Sequence, residues 1–373
     1  MRWDMRGCIL HIGMPKTGTS SIQKSLNGLV DTNFVWYQDH KGRTNHSPAV
    51  FGIVGAATPR MQRQNMEPEL LAQKQFDKMI RFADGRSLLV SGEGMVSLEL
   101  DQLRDFASYL RSRGREKLTI AAYVRSPIGY ITSLARATKG GTLKDLRLQR
   151  RLNYRALFEK FDQTFGRENV FLWKFDPSSF PSSCVVQDFC ANIGIDIRAV
   201  KIVRENESLS REAVALRYTY HREGSAIGWQ PLTPRERLRL SRRLAGIGSR
   251  KFRFSPDLLR PFLERNHQDI EWMEQRLGQS LEEPGWDQHQ DDDVRDEWDL
   301  LRPDPQVIAQ LREMLGADAP KGVGETPDEV ALLVHALLGM HRVGLSGAPP
   351  NRPPRRSHDR RSSAPAPISL PEA

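Results

Sequence analysis

The stretch that decides the fold is Cys8-Ile9-Leu10-His11-Ile12-Gly13-Met14-Pro15-Lys16-Thr17-Gly18-Thr19-Ser20. Its beginning, Cys8 to Ile12, is a short apolar run typical of a buried strand. A glycine-containing loop follows, and Ile22, Leu26 and Leu29 then recur at helical spacing. A strand that passes through such a loop into a helix surrounds an anion with backbone N–H groups at the positive helix end. The order therefore predicts an anion-binding loop.

The position of the lysine separates two kinds of chemistry. A nucleoside-triphosphatase P-loop carries its lysine directly after the second glycine, but Thr19 stands there and Lys16 lies inside the loop. Triphosphate chemistry also normally uses Mg²⁺ held by a hydroxyl and an Asp from a second strand, and no predicted strand ends in a suitable Asp. A sulfuryl group carries less charge than a phosphoryl group, so lysine and backbone donors could stabilise its transfer without a metal. The loop favours sulfuryl transfer, and no metal is expected.

The same residues carry a family resemblance. Pro15-Lys16-Thr17-Gly18-Thr19-Ser20-Ser21 resembles throughout the 5′-phosphosulfate-binding loop of sulfotransferases that use 3′-phosphoadenosine 5′-phosphosulfate (PAPS). The longer string from His11 to Gln23 looks like the bacterial, carbohydrate-type branch of that family. The resemblance implies PAPS as co-substrate, a catalytic Lys16, and a cofactor-binding set consisting of Pro15, Lys16, Thr17, Gly18, Thr19 and Ser20. It covers roughly 8–210.

A second anion site is predicted at the end of the strand Leu118–Val124. Arg125 follows that strand, and Ser126 and Pro127 are a good N-cap and first helical residue for a helix that runs toward Gly140-Gly141. Ser133 comes very nearly two turns after the cap, which returns it to the face of Arg125.

The resemblance extends to this second site. In the family, an Arg at this strand end and a Ser eight residues later bind the 3′-phosphate, which implies that role for Arg125 and Ser133. The sequence departs from commoner versions at Ser126 and at Tyr130, where a second Arg often stands. Either residues elsewhere in the chain complete the phosphate site, or the phosphate binds less tightly. Taken alone, the pair also fits a surface ion-pair residue and a helix-surface hydroxyl.

An acceptor hydroxyl needs a general base, and two residues compete for that role. Glu93 follows the strand Ser87–Ser91 and lies at the carboxyl edge of the sheet, where open α/β folds bind ligands. Several carbohydrate sulfotransferases look similar here, although Glu93 equally fits a helix cap or a surface ion pair. His46, in the irregular region 40–59, is the alternative base. His11, inside an apolar strand, is expected to be a core histidine that braces the loop.

Alternating strands and helical patterns predict the fold class. Further strands are expected at Ser87–Ser91, Leu118–Val124 and Val170–Phe175, with helix faces marked by Leu103, Phe106 and Leu110, and by Phe158, Phe161 and Phe165. This alternation predicts an α/β, P-loop-like three-layer fold, a central parallel sheet flanked by helices, with a helical C-terminal extension.

Three regions follow from composition. We expect a PAPS-binding core over 1–207, a mainly helical extension over 208–340 for acceptor binding or oligomerisation, and a disordered Pro/Arg/Ser-rich tail over 341–373. The extension has a basic stretch, 235–253, and an acidic stretch, 282–299, which fit solvated faces, mutual pairing or a landing surface for an anionic acceptor. The tail carries about +4 of the formal net charge of +9.

Cysteine content and hydropathy bear on location. Three cysteines, Cys8, Cys184 and Cys190, are too few for a disulfide framework, so reduced and buried thiols are expected. No apolar run approaches the roughly 20 residues of a membrane helix, and a cytoplasmic location is expected.

The predicted function is sulfuryl transfer from PAPS to an acceptor hydroxyl, on a carbohydrate if the resemblance holds for the acceptor too. A small-molecule kinase of the P-loop type and a non-catalytic protein that binds nucleotide or a polyanion such as RNA are the alternatives. No aromatic-rich RNA motif accompanies the basic stretch, so no nucleic-acid partner is expected. Oligomeric state is left open.

Overall fold

The computed structural model describes residues 7–55, 68–136, 151–205, 209–226 and 228–339. The predicted tail, 341–373, and the predicted run of the helix after Arg136 toward Gly140-Gly141 lie outside the described residues.

A five-stranded sheet forms the centre of the molecule, in the order β2-β3-β1-β4-β5 with every neighbouring pair parallel. The strands are β1 (Cys8–Gly13), β2 (Phe34–Trp36), β3 (Ser87–Ser91), β4 (Leu118–Arg125) and β5 (Val170–Phe175). The α/β fold class and the predicted strands are confirmed. The edge strand β2 was not predicted, because a three-residue strand is too short to show a period.

Helices cover both faces of the sheet. In the first half they are α1 (Thr19–Leu26), α2 (Ser47–Ile53), α3 (Glu69–Phe82), α4 (Leu100–Arg111), α5 (Pro127–Ala135), α6 (Tyr154–Phe165) and α7 (Val185–Ile193). Successive side chains of a strand point to opposite faces, so Leu10 and Ile12 pack into one core and Ile9 into another. The larger core takes in the predicted faces of α4 and α6, and the smaller one lies under α1 and α7.

The second half of the described chain is helical, as predicted. Its helices are α8 (Arg211–Ala226), α9 (Pro234–Leu244), α10 (Pro256–Arg265), α11 (His267–Leu277), α12 (Trp298–Leu301), α13 (Pro305–Leu315) and α14 (Pro327–Gly339). Pro begins several of them after Ser, Thr or Asp, a pairing that sets the first helical φ and offers an N-cap oxygen.

These helices pack in two parts. Helices α10 and α11 add to the larger core of the sheet, whereas α9, α13 and α14 form a separate core. Helix α8 belongs to both, since Val214, Ala215 and Tyr218 face the sheet core and Ala213 and Leu216 face the helical one.

The predicted basic and acidic stretches meet each other at two points. Arg250 pairs with Asp292 at 2.8 Å and with Glu212 at 2.8 Å, and Arg253 pairs with Asp293 at 3.2 Å. Two of the eight basic residues in the stretch, Arg250 and Arg253, are therefore paired with carboxylates.

The three cysteines are buried and free, as expected from their number. Burial raises the pKa of the Cys8 thiol to about 12. Within the described ranges, no helix combines the length and the apolar character needed to cross a membrane.

Candidate active site

The loop between β1 and α1 holds an unusual backbone. Gly13 and Gly18 have φ values of 88° and 77°, which glycine adopts at little cost. A Cβ added to Gly18 would lie 2.7 Å from Cγ1 of Val185, so position 18 also has no room for a side chain. Lys16 has a φ of 73°, a conformation that costs a non-glycine residue on the order of 1–3 kcal/mol. Such strain clusters at ligand-binding sites, and here it falls on the predicted catalytic lysine.

The loop leads directly into the N-terminus of α1. Gly18 is the N-cap and makes no side-chain cap, so the first N–H groups of the helix face the loop. The Thr17 hydroxyl donates to the Met14 carbonyl at 2.6 Å and closes the turn. Thr19 Oγ1 is buried with no hydrogen-bond partner among the described residues, as expected of a donor whose acceptor is a bound anion. Pro15 is half-buried, and Ser20 is exposed in the first turn.

The end of β4 meets this loop. Arg125 donates a hydrogen bond to the Lys16 carbonyl oxygen, and its guanidinium lies 5.2 Å from the ring centre of Phe175. The Tyr154 hydroxyl donates to the Arg125 carbonyl at 2.6 Å, which fixes the strand end. The two predicted motifs, more than 100 residues apart in sequence, thus come together.

Helix α5 begins as the sequence predicts. The Ser126 hydroxyl accepts from the Gly129 N–H at 3.1 Å, and Pro127 is the first helical residue. Ser126 also donates to the carboxylate of Glu283, a residue of the acidic stretch. Ser133 lies in the same helix and is buried.

Two further arginines lie at this site, and neither was predicted from the sequence. Arg136 follows Ser133 by three residues, which puts both on one helix face, a signal that was available in the sequence. Arg217 comes from α8, and its guanidinium donates to the Arg136 carbonyl. No motif marks Arg217, because its place depends on the packing of the helical region.

Lys16, Arg125, Arg136 and Arg217 form a group of positive charges, called here the cation cluster. Burial lowers the pKa of Lys16, and the charges of Arg125, Arg136 and Arg217 lower it further, against an opposing effect of Glu93. Burial lowers the pKa of Arg217 to about 10, and burial together with Arg136 does the same for Arg125. Within the described part of the chain, no carboxylate forms an ion pair with any of the four.

Glu93 approaches the loop from the end of β3. It begins a short 3₁₀ helix, Glu93–Ser97, and is half-buried. A Cβ added to Gly13 would lie 3.1 Å from the Cβ of Glu93, so the glycine is what allows the two segments to approach. The charge of Glu93 acts against the lowering of the Lys16 pKa, so the carboxylate and the ammonium group are near each other.

His46 is fully buried and is the N-cap residue of α2, whereas the sequence predicts an irregular loop there. Its Nδ1 accepts the N–H of Ser91 at 3.0 Å, so in the neutral ring the proton is on Nε2. The backbone N–H of His46 donates to the Ser91 carbonyl at 2.8 Å, and the neighbouring Ser47 hydroxyl accepts the Gly94 N–H at 2.9 Å. These bonds hold the turn on both sides of Glu93. Burial lowers the pKa of His46 to about 3.

His11 is a core histidine, as expected. It is fully buried in β1, its Nδ1 lies 2.8 Å from the Ser91 hydroxyl, and its ring packs on Phe189. Burial lowers its pKa to about 3. Among the described residues, no group of three or more His, Cys, Asp or Glu side chains is arranged to hold a metal ion.

Comparison with known proteins gives one structural likeness. The chain matches no family model and no curated protein. The crystal structure of a sulfotransferase from Alicyclobacillus acidocaldarius aligns with 62% of this chain and 97% of its own, at 16% identity and a TM-score of 0.31. A TM-score this low supports no statement about fold or function, which rest on the residues described above.

Proposed function

We propose that this protein is a sulfotransferase that moves a sulfuryl group from PAPS to an acceptor hydroxyl, with a carbohydrate as the favoured acceptor. The observation that carries the proposal is the unpaired cation cluster around a strand-loop-helix anion site. A phosphate monoester carries roughly −1.5 to −2 charges at pH 7. A nucleotide with a 3′-phosphate and a 5′-phosphosulfate supplies negative charge to these four side chains beyond the opposing effects of Glu93 on Lys16 and of Glu283 on Arg125 and Arg136.

Each binding residue has a distinct place in the proposal. The loop N–H groups, Thr19 and the start of α1 hold the 5′-phosphosulfate, since an anion is stabilised at a helix N-terminus. Arg125 and Ser133 hold the 3′-phosphate. Lys16 donates to the oxygen that bridges phosphorus and sulfur, where negative charge grows as the nucleotide leaves.

Glu93 is proposed as the general base and His46 as the residue that positions it. The accepting nitrogen of His46 is already engaged by the Ser91 N–H, and the ring is closed off from solvent, so it is poorly placed to take a proton from an acceptor. Glu93 is half-buried beside the loop between β1 and α1, on the turn that His46 and Ser47 hold.

Neither alternative function has a comparable observation behind it. A P-loop kinase would use a lysine at position 19, and the side chain there is a buried threonine. A polyanion scaffold would use the basic stretch, yet Arg250 and Arg253 are paired with carboxylates.

A thermal-shift comparison tests the proposal. Ligands that bind only the native state stabilise it, so adenosine 3′,5′-bisphosphate should raise the melting temperature while ATP with Mg²⁺ does little. The shift should disappear in Lys16→Ala combined with Arg125→Met, and persist in Lys78→Ala, an exposed lysine on α3. A larger shift with Mg-ATP would overturn the assignment in favour of a kinase.

A further inference from the structure

An acidic side chain lies beside the site proposed for the 3′-phosphate. The Ser126 hydroxyl accepts the Gly129 N–H, and its single proton goes to Oε1 of Glu283, because a carboxylate only accepts. A Cβ added to Gly129 would lie 2.8 Å from this Glu283 oxygen and 3.0 Å from Nε of Arg125. The carboxylate and the guanidinium therefore flank the same point on the first turn of α5.

The proposed phosphate ligand Ser133 lies on the same side of this helix. Gly129 and Ser133 are four residues apart in α5, so they lie on one face, roughly 6 Å apart along the axis. A 3′-phosphate bound between Arg125 and Ser133 would therefore have the Glu283 carboxylate as its neighbour toward the start of the helix.

The segment that carries Glu283 is fixed by the elements around it. Lys174, on β5, donates to the Ser280 carbonyl at 2.8 Å, and Glu274, on α11, accepts the Leu281 N–H at 2.6 Å. The Leu281 side chain is buried in the sheet core. The carboxylate is thus held at α5 before any ligand arrives, and a ligand that contacts it does not have to order it.

The chemistry of Glu283 differs from that of the other side chains placed at the nucleotide site. The cation cluster, Thr19 and Ser133 all offer hydrogen-bond donors, which suit the oxygens of a phosphate. Glu283 offers an acceptor instead. One of its oxygens is engaged by Ser126, and the other, Oε2, has no hydrogen-bond partner in the described part of the chain. A ligand that has a hydroxyl group next to its phosphate would match this arrangement, because a hydrogen bond to a charged oxygen is a strong one.

Ribose carries such a hydroxyl, since its 2′-carbon is bonded to the carbon that bears the 3′-phosphate. We infer that Glu283 accepts a hydrogen bond from the ribose 2′-hydroxyl of the nucleotide, and so selects a ribonucleotide phosphorylated at the 3′ position. A phosphate at the 2′ position would bring a like charge against the carboxylate and be rejected. The inference rests on the proposed function, because it takes Arg125 and Ser133 to hold the 3′-phosphate.

Three nucleotides that differ only at the ribose test the inference. They are adenosine 3′,5′-bisphosphate, its 2′-deoxy analogue and adenosine 2′,5′-bisphosphate, each titrated calorimetrically into the full chain. The ribose form should bind roughly 10-fold or more tightly than the deoxy form, as expected for one hydrogen bond to a charged group. The 2′,5′ isomer should also bind roughly 10-fold or more weakly than the 3′,5′ isomer.

Variants make the test specific to Glu283. Glu283→Ala should bring the affinities for the ribose and deoxy forms within about threefold of each other, because the acceptor is lost. Asp287→Ala, which removes an exposed carboxylate from the same acidic stretch, should leave the preference unchanged. The ratio decides, since removing a negative charge also changes the attraction of the site for every phosphate.

A conservative variant separates the charge of Glu283 from its hydrogen bond. Glu283→Gln keeps an acceptor oxygen, so it should retain part of the preference for the ribose form while its rejection of the 2′,5′ isomer weakens. Melting temperatures and circular dichroism verify that the variants fold. If Glu283→Ala does not fold, Glu283→Gln and the ratio measured for the unmodified protein decide the question.

The outcomes distinguish this inference from the proposed function. If the protein binds adenosine 3′,5′-bisphosphate but does not discriminate against the deoxy form, or if Glu283→Ala retains the discrimination, Glu283 does not contact the 2′-hydroxyl. If Glu283→Ala tightens all three nucleotides equally, the carboxylate only opposes phosphate binding, and the inference is wrong. If none of the three nucleotides binds, the sulfotransferase proposal fails and the inference fails with it.

Discussion

Replacing Arg125 tests the proposed nucleotide site most directly. Its guanidinium is partly buried and makes no ion pair in the described ranges, and its pKa falls from the ordinary 12.5 to about 10. That lowering means that the charged form of the guanidinium is destabilised by about 3 kcal/mol. A bound phosphate would remove part of this destabilisation. We expect Arg125→Met, which keeps the aliphatic stem, to weaken binding of adenosine 3′,5′-bisphosphate by about 1.5–3 kcal/mol, or roughly 10- to 150-fold.

The selectivity of the loss matters more than its size. Isothermal titration with adenosine 5′-monophosphate, which lacks the 3′-phosphate, should give a loss of less than about threefold, because Arg125 then has no charge to pair with. Arg104→Met, on the exposed face of α4, is the matched control and should change neither affinity. Equal losses for the two nucleotides in Arg125→Met would refute the assignment of the 3′-phosphate to this residue.

Three further predictions concern catalysis and stability. Glu93→Gln should retain nucleotide affinity and lose roughly 10²–10⁴-fold in the rate of sulfuryl transfer, measured with labelled PAPS. If Glu93→Gln instead turns over at a near-normal rate while His46→Ala is inactive, the general base is His46. Lys16→Ala should lower turnover more than affinity for the bisphosphate, with Lys78→Ala as control, and an equal effect on both would deny Lys16 a transition-state role. His11 and His46 stay neutral in the folded protein down to about pH 3 but titrate near 6.5 when unfolded, so stability should fall as pH drops below about 6.5, by up to about 1.4 kcal/mol per pH unit for each. Chemical denaturation across pH 4–7 measures this, and an unchanged pH slope in His46→Gln would contradict it.

Much of the first half of the fold could be predicted because its signals are local. Strand β1, the glycine loop and the apolar face of α1 follow one another directly in the sequence. Ser126-Pro127 predicts the start of α5 from the local sequence alone. The family resemblance then supplied the pairing of the loop with Arg125, which the structure brings into contact through the Lys16 carbonyl.

The remainder depends on contacts between distant segments. Arg217 reaches the site only because α8 packs beside the sheet, and Glu283 reaches Ser126 from the acidic stretch, so neither has a signal within its own neighbourhood. His46 was assigned to an irregular loop, although Pro48 and the apolar residues after it are compatible with the helix that forms there. Its burial follows from Trp36 and Tyr37, which β2 and the turn after it bring against the ring.

Helix α8 has a consequence for how the chain unfolds. It is the only element described above that contributes side chains to both the sheet core and the helical core, so melting it would expose apolar surface on two sides at once. The two cores should therefore lose structure in a single cooperative transition, with one calorimetric peak and similar hydrogen-exchange protection on β1 and α14. A shortened chain that ends before α8 would lack the helix that packs against both cores, and it would also lack Arg217. The smallest fragment able to fold and bind its ligand therefore has to include the helical region.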